Sequence, residues 1–253
     1  MEPLYETNQN CLCCSRAYTT SKVRPSFKKP KRVDADFCGH YKPEVNPDYY
    51  VVKVCPYCGF ASTENGMAAI SEQQKQAYMA RIGSRWTAGR EYGGERSLEQ
   101  ALECYKLALL TAQAIGEKER IIAGILHHLG WLYRYDENGQ QEARFLQYAM
   151  ESYIEVFENE ADSLNDAKLM FLIGELNRRL DKPNEAVRWF SRVVNDKRIT
   201  DAGMIRASRE QWTVIREEQE AKAAAELAAL TALAGEAGGA PKQGRNWLSS
   251  RNG

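Results

Sequence analysis

The sequence predicts a mostly α protein in which a small β-containing module precedes a run of helical hairpins. Three observations predict it. Six of the seven cysteines fall before residue 59, four of them in two close pairs. Proline is frequent up to Gly59, after which only Pro183 and Pro241 remain. From about Ser71 to about Leu233 the chain is rich in Ala, Leu, Glu, Gln, Lys and Arg, with apolar positions three and four apart, the spacing of amphipathic helices.

In the front module, residues 1–62, the run Tyr49-Tyr50-Val51-Val52-Lys53-Val54 has the residue types of a strand and leads into a cysteine pair. Cys11-Leu12-Cys13-Cys14 and Cys55-Pro56-Tyr57-Cys58-Gly59 each present two thiolates from one tight turn. Two such turns make a tetrahedral four-sulfur shell, which suits one structural Zn2+ held by Cys11, Cys14, Cys55 and Cys58. Gly59 permits the positive φ that such knuckles use. The long gap between Cys14 and Cys55 costs little, because loop-closure entropy grows only logarithmically. A module of this size with few aliphatic residues gains little from burial, whereas structural zinc contributes an apparent ~10–16 kcal/mol in small peptides. The module is therefore expected to be zinc-ribbon-like. Cys38 and His40 are the substitutes for one ligand, and Cys13 is expected to point away from its knuckle. A thioredoxin-like redox reading lacks the βαβ surroundings it needs.

Between the knuckles Lys22, Arg24, Lys28, Lys29, Lys31 and Arg32 form a basic arm, with Phe27 inside it and Tyr18 nearby. Basic side chains release counterions from phosphates and aromatics stack on bases, so the arm is a candidate nucleic-acid contact. The simpler alternative is a solvated loop partly neutralised by Asp34 and Asp36.

The helical domain is expected over residues 63–234, opened by a capping box at Ser71 and Gln74. Gly89, Tyr92, Ala101, Tyr105 and Ala108 share their spacing with Gly174, Asn177, Ala186, Phe190 and Val193. A middle copy, Gly130, Tyr133, Ala149, Tyr153 and Val156, fits with a longer hairpin. Small residues where paired helices cross and aromatics in the next groove make a tetratricopeptide-like pattern; an ordinary helical bundle is the alternative. Ile205, Ser208, Trp212 and Ile215 predict a capping helix laid on the last hairpin. Glu220 to Leu233 continues as a solvated helix, or docks a partner through Leu227, Leu230 and Leu233. The glycine-rich segment 235–253 is expected to be a disordered tail.

With 34 basic and 34 acidic residues, 43% hydrophobic and 27% charged, the 253-residue chain has a globular composition and no overall nucleic-acid charge bias. No signal segment or membrane span is read, so a cytoplasmic protein without membrane contact is expected. No phosphate-cradling, dinucleotide, GxSxG or HExxH motif occurs. Cys104, His127 and His128 fall on predicted helices, where packing is the commoner fate than a catalytic dyad.

The runs Val33-Asp34-Ala35-Asp36-Phe37-Cys38, Val45-Asn46-Pro47, and Tyr49 through Cys55-Pro56-Tyr57-Cys58-Gly59-Phe60-Ala61 resemble a bacterial family catalogued as domain of unknown function 2225. The segment Gly174-Glu175-Leu176-Asn177-Arg178-Arg179-Leu180 through Trp189-Phe190 is similar too. The resemblance implies a cytosolic bacterial protein joining a four-cysteine module to tetratricopeptide-like helices, and marks Arg32, Asp34, Asp36, Asn46 and Tyr50 as polar residues to test. It implies no activity. The expected function is a non-catalytic protein-interaction scaffold or adaptor, its groove anchored by Tyr92, Tyr133, Arg134, Arg178 and Arg179, with no small-molecule substrate. The alternative is a nucleic-acid-binding or transcription-associated adaptor using the metal module and residues 22–32.

Overall fold

The computed structural model describes residues 2–87, 89–160 and 166–237. Three antiparallel strand pairs, each the stem of a short hairpin, make up the front module. β1 (Leu4–Asn10) pairs with β2 (Ala17–Val23), from Leu4 opposite Val23 to Asn10 opposite Ala17. β3 (Arg32–Val33) pairs with β4 (Gly39–His40), and β5 (Lys53–Val54) pairs with β6 (Ala61–Ser62). The strand expected over 49–54 is confined to Lys53–Val54. Pro47 presets a helical φ and the Asn46 side chain accepts from the Asp48 amide, so Pro47–Tyr50 winds into a 3-10 turn instead. The β1–β2 hairpin was not anticipated, although Tyr18, Thr19, Thr20 and Val23 are good strand residues.

Among the described residues seven α-helices follow: α1 (Glu72–Arg81), α2 (Leu98–Ile115), α3 (Glu119–Tyr135), α4 (Gly139–Asn159), α5 (Ala167–Arg179), α6 (Pro183–Asn195) and α7 (Ala202–Ala237). Ser71 and Gln74 cap α1 reciprocally as expected, and Ser97 with Gln100 repeats the box at α2. No described helix is long and apolar enough to cross a membrane.

Helices α3 with α4 and α5 with α6 form two hairpins whose turns match residue for residue. Glu137 and Asp181 both adopt positive φ, 55° and 57°. The next amide in each turn reaches back to a carbonyl, Asn138 to Tyr133 and Lys182 to Asn177, both at 2.9 Å. The helices cross closely at the expected glycines. A Cβ on Gly130 would stand 2.5 Å from Leu146 Cδ2, and one on Gly174 would stand 2.7 Å from Phe190 Cε1. The first copy of the repeat differs: Gly89 (φ 108°) and Tyr92 lie in the loop before α2, not on a helix. Gly89, Gly93 and Gly94 crowd this stretch, and each costs a helix about 1 kcal/mol relative to alanine.

Helix α7 packs on α5 and α6 through Ile205, Ser208 and Ile215, with Ser208 fully buried. Trp212 departs from the expected buried stripe and is 40% exposed. Leu227 and Leu230 stand in solvent. The side chain of Leu233 and residues 238–253 of the expected tail fall outside what is described, while 235–237 continue α7.

Two clamps join the front module to the helices. The tip of the β3–β4 hairpin, residues 34–38, turns tightly with Phe37 at φ 68° and pushes Asp36 to complete burial. Asp36 accepts from both Arg134 guanidinium nitrogens at 3.1 and 2.6 Å and from Trp131 Nε1 at 3.2 Å. Arg179 Nη2 lies 3.3 Å from Oδ1, the oxygen that also accepts from Arg134 Nη1. Phe37 packs on Phe171, ring centroids 6.0 Å apart. The second clamp is Arg96, 4% exposed, which donates to the carbonyls of Tyr49, Val52 and Tyr92 and to Thr20 Oγ1.

Burial alone would raise the Asp36 carboxyl, but the Arg134 donors, the neighbouring His127 ring and the Arg179 charge hold it well below the usual range. A depressed folded value means that Asp36 stabilises the fold fully above an unfolded carboxyl near ~4, and that this contribution is lost as pH falls below it. Asp36→Ala leaves Arg134 without its buried partner and is expected to lower unfolding free energy by about 3–5 kcal/mol in urea titrations near neutral pH. The deficit should shrink toward acid pH. A loss below about 1 kcal/mol would contradict the clamp.

Candidate functional site

The two cysteine pairs sit on the tips of two hairpins. Residues 11–16 join β1 to β2: the Ser15 amide bonds the Cys11 carbonyl at 3.0 Å, with Ser15 itself at φ 61°. Residues 55–60 join β5 to β6: the Gly59 amide bonds the Cys55 carbonyl at 2.9 Å, with Gly59 at φ 73°. Glycine is required here twice over, by its φ and because a Cβ would lie 2.3 Å from the Trp86 ring. Trp86 Nε1 donates to the Pro56 carbonyl at 2.9 Å, and the Tyr78 hydroxyl of α1 donates to the Cys58 carbonyl at 2.8 Å. The cysteine cluster therefore shares its packing with residues beyond position 62: Tyr78, Met67, Ile70, Ile82 and Ile115.

The Sγ atoms of Cys11, Cys14, Cys55 and Cys58 all lie within 4.8 Å of one another, placed to hold a metal ion. Cys11 and Cys58 are 3.6 Å apart, and Cys14 and Cys55 are 3.7 Å apart. These separations far exceed the ~2.05 Å of a disulfide, and all seven cysteines are free thiols. The crowding perturbs titration. The Cys58 contact pulls Cys11 down to about 5 and pushes Cys58 up, while burial raises Cys55 to about 11. Four thiolates at such distances repel unless a cation sits among them, so proton loss and metal entry are coupled.

Cys13 lies in the same apolar cluster but outside the set of four. Cys38 and His40, the substitutes considered from sequence, are engaged elsewhere. The Cys38 thiol lies 3.5 Å from the Tyr135 hydroxyl, and His40 Nε2 is 3.0 Å from Asp34 and 2.8 Å from Arg32.

The basic arm does not form one stripe. Lys22 pairs with Glu64, Arg24 lies over Tyr5 and donates to the Glu2 carbonyl, and Arg32 pairs with Asp34. Lys28 and Lys29 are exposed, and Lys31 follows them into β3.

The five expected groove residues are occupied within the fold. Tyr92, 5% exposed, donates to Glu103 at 2.5 Å, and Tyr133 stacks on Phe145 with centroids 5.3 Å apart. Arg134 bridges Asp34, Asp36 and Glu142. Arg178 holds buried Glu175 with two nitrogens at 2.9 Å and reaches Glu218 of α7, and Arg179 joins Glu175 to Asp36. Among the other residues marked for test, Asn46 caps the 3-10 turn and the Tyr50 hydroxyl accepts from the Arg96 amide. His127 is buried against Trp131 and Tyr153, where burial lowers its pKa. At 3.6 Å from Asp36 its Nε2 is in ion-pair range but makes no hydrogen bond.

An open groove of 830 Å3 instead runs along α2, α3 and α4. Leu109, Ile122, Leu126, Phe145 and Tyr148 supply its apolar surface. Glu117, Glu119, Glu151 and Glu155 supply four carboxylates against one arginine, Arg144. Sequence reasoning missed it because its lining comes from three helices whose rotations are set by packing.

Compared with known proteins, residues 4–215 match the model of a family described as an uncharacterized protein conserved in bacteria, domain of unknown function 2225. No curated protein and no solved structure matches the chain.

Removing one sulfur opens the four-thiolate shell. Cys55→Ala is expected to lose its metal in elemental analysis of the purified chain and to loosen the front third while keeping most helical circular dichroism. One metal ion per chain retained by this variant would refute the site.

Proposed function

We propose that this chain, which belongs to that uncharacterised bacterial family, is a non-catalytic cytoplasmic adaptor that grips a basic segment of a partner protein. The carrying observation is the groove on α2, α3 and α4, where an apolar and aromatic surface is flanked by four carboxylates. A segment with aliphatic or aromatic anchors spaced among Lys and Arg complements it in both respects. The anchors supply affinity, and the charges supply orientation and on-rate. Tyr148, 40% exposed and edge-on to Phe145, is the aromatic best placed to meet such an anchor.

The helices that carry the groove are read as tetratricopeptide-like. Support comes from the matched turns of the two hairpins, the close crossings at Gly130 and Gly174, and the buried Ala149 and Ala186 at equivalent positions. The first hairpin lacks its leading helix, and the front module takes that place beside α2 through β5 and β6.

The metal is read as Zn2+. A tetrahedron with Zn–S of ~2.3 Å has S–S edges of roughly 3.8 Å, close to the two short sulfur pairs. Four thiolates close the shell and leave no position for a reacting water, so the ion's part is to hold the two hairpin tips together.

Selection of random displayed peptides on the folded full-length chain tests the groove. Enrichment of sequences joining Lys or Arg to large apolar residues is expected. The enrichment should vanish on a Glu151→Lys/Glu155→Lys variant whose thermal unfolding matches wild type. Equal enrichment on both proteins, or enrichment of acidic sequences, would overturn the proposal.

A further inference from the structure

A separate cleft of 410 Å3 lies where β2, the 3-10 turn and β5 face α3. Lys22, Lys28 and Lys53 line it, against Glu64, which is paired with Lys22, and Asp48. Burial raises the Asp48 carboxyl above the usual range. Lys53 is half-buried, and its Nζ donates to Gln9 Oε1 at 3.2 Å. Three ammonium groups thus face two carboxylates, one of them already paired with Lys22, and an anion between Lys28 and Lys53 would relieve their repulsion.

The far wall is built rather than incidental. Asp48, 6% exposed, accepts from the Tyr135 hydroxyl at 2.8 Å and the Tyr41 hydroxyl at 3.4 Å, and its carbonyl accepts from Tyr105 at 3.0 Å. His128 also lines the cleft. Its Nδ1 is 2.8 Å from the Gly124 carbonyl, and since a carbonyl only accepts, Nδ1 carries the proton and Nε2 is the ring's remaining polar atom. Stacking on Tyr105, with centroids 5.5 Å apart, fixes the ring plane. Tyr41, Tyr50 and Pro47 add flat apolar surface. The volume falls within the ~300–1,000 Å3 of small-molecule sites.

We propose that this cleft binds a small phosphorylated molecule, its phosphate oxygens between Lys28 and Lys53 and its remainder against Tyr41 and Pro47, beside His128. Two ammonium groups in one space suit a dianion better than a single carboxylate, and lysine binds phosphate as a point charge. The basic arm thus brings Lys22 and Lys28 to a pocket, while Arg24 and Arg32 are held elsewhere, which favours a small ligand over a polymer lying along a charged stripe. The proposal is independent of the acidic groove.

Isothermal titration of the full chain with pyrophosphate, and separately with adenosine diphosphate, tests it. Binding at one site per chain is expected, weakening as salt is raised. Lys28→Gln/Lys53→Gln should weaken it by about tenfold or more, Lys53→Arg should retain it, and Lys29→Gln should leave it unchanged. Tighter binding of the nucleotide assigns the aromatic wall a share, whereas equal binding assigns the site to the phosphates alone. Absence of binding by both probes, or binding indifferent to Lys28→Gln/Lys53→Gln, would overturn the proposal.

Discussion

A carboxylate with no solvent exposure, Asp36, sits among two guanidinium groups and an indole N–H, and this arrangement couples the two halves of the molecule. Taking such a charge out of water is costly, and only dense compensation makes it tolerable. The compensation is spread over the fold: Arg134 comes from α3, Arg179 from α5, and Asp36 from a hairpin tip in the front module. Glu175, also fully buried, orients Arg178 and Arg179, and Arg178 extends the chain of charges to Glu218 on α7. One network thereby fixes the front module, both hairpins and the capping helix relative to each other.

The four-cysteine cluster and this network sit on different hairpin tips of the front module. Strand pairs of two residues, such as β3–β4 and β5–β6, are too short to be stable alone. The β5–β6 tip brings its sulfurs beside those of the β1–β2 tip, and is held through Cys58, Pro56 and Gly59 to Tyr78 and Trp86. The β3–β4 tip is held by Asp36 and Phe37. Between the two anchors Arg96 gathers the carbonyls of the connecting loop, which would otherwise be buried without donors. The front module is thus a set of loops tied at three points to a helical frame, with a core continuous with that frame: Val52, Val54 and Ala61 pack with residues of α2 and α3.

Such a construction leaves two concavities of opposite character. The groove on α2, α3 and α4 is acidic and apolar, and the cleft against β2, β5 and α3 is basic and aromatic. A chain with no net charge therefore carries a local separation of charge between its two concavities.

The sequence by itself determined the local features. Cysteine pairs beside turn-forming residues, a capping box at Ser71, helical periodicity, and the crossing glycines Gly130 and Gly174 all act over a few neighbours, and each is where it was expected. What stayed hidden depends on distant partners. Tyr49 to Val52 reads as strand until Pro47 and Asn46 start a tight turn, and Gly89 reads as helical until its neighbouring glycines are weighed. Arg134 and Arg179 read as surface anchors, yet only the folded chain puts Asp36 beside them, whereas Glu175 lies one helical turn from Arg178 and Arg179. Tertiary structure alone decided which charges face inward, because pairing an arginine with a carboxylate about a hundred residues away is a matter of three-dimensional proximity and desolvation, which no short-range pattern encodes.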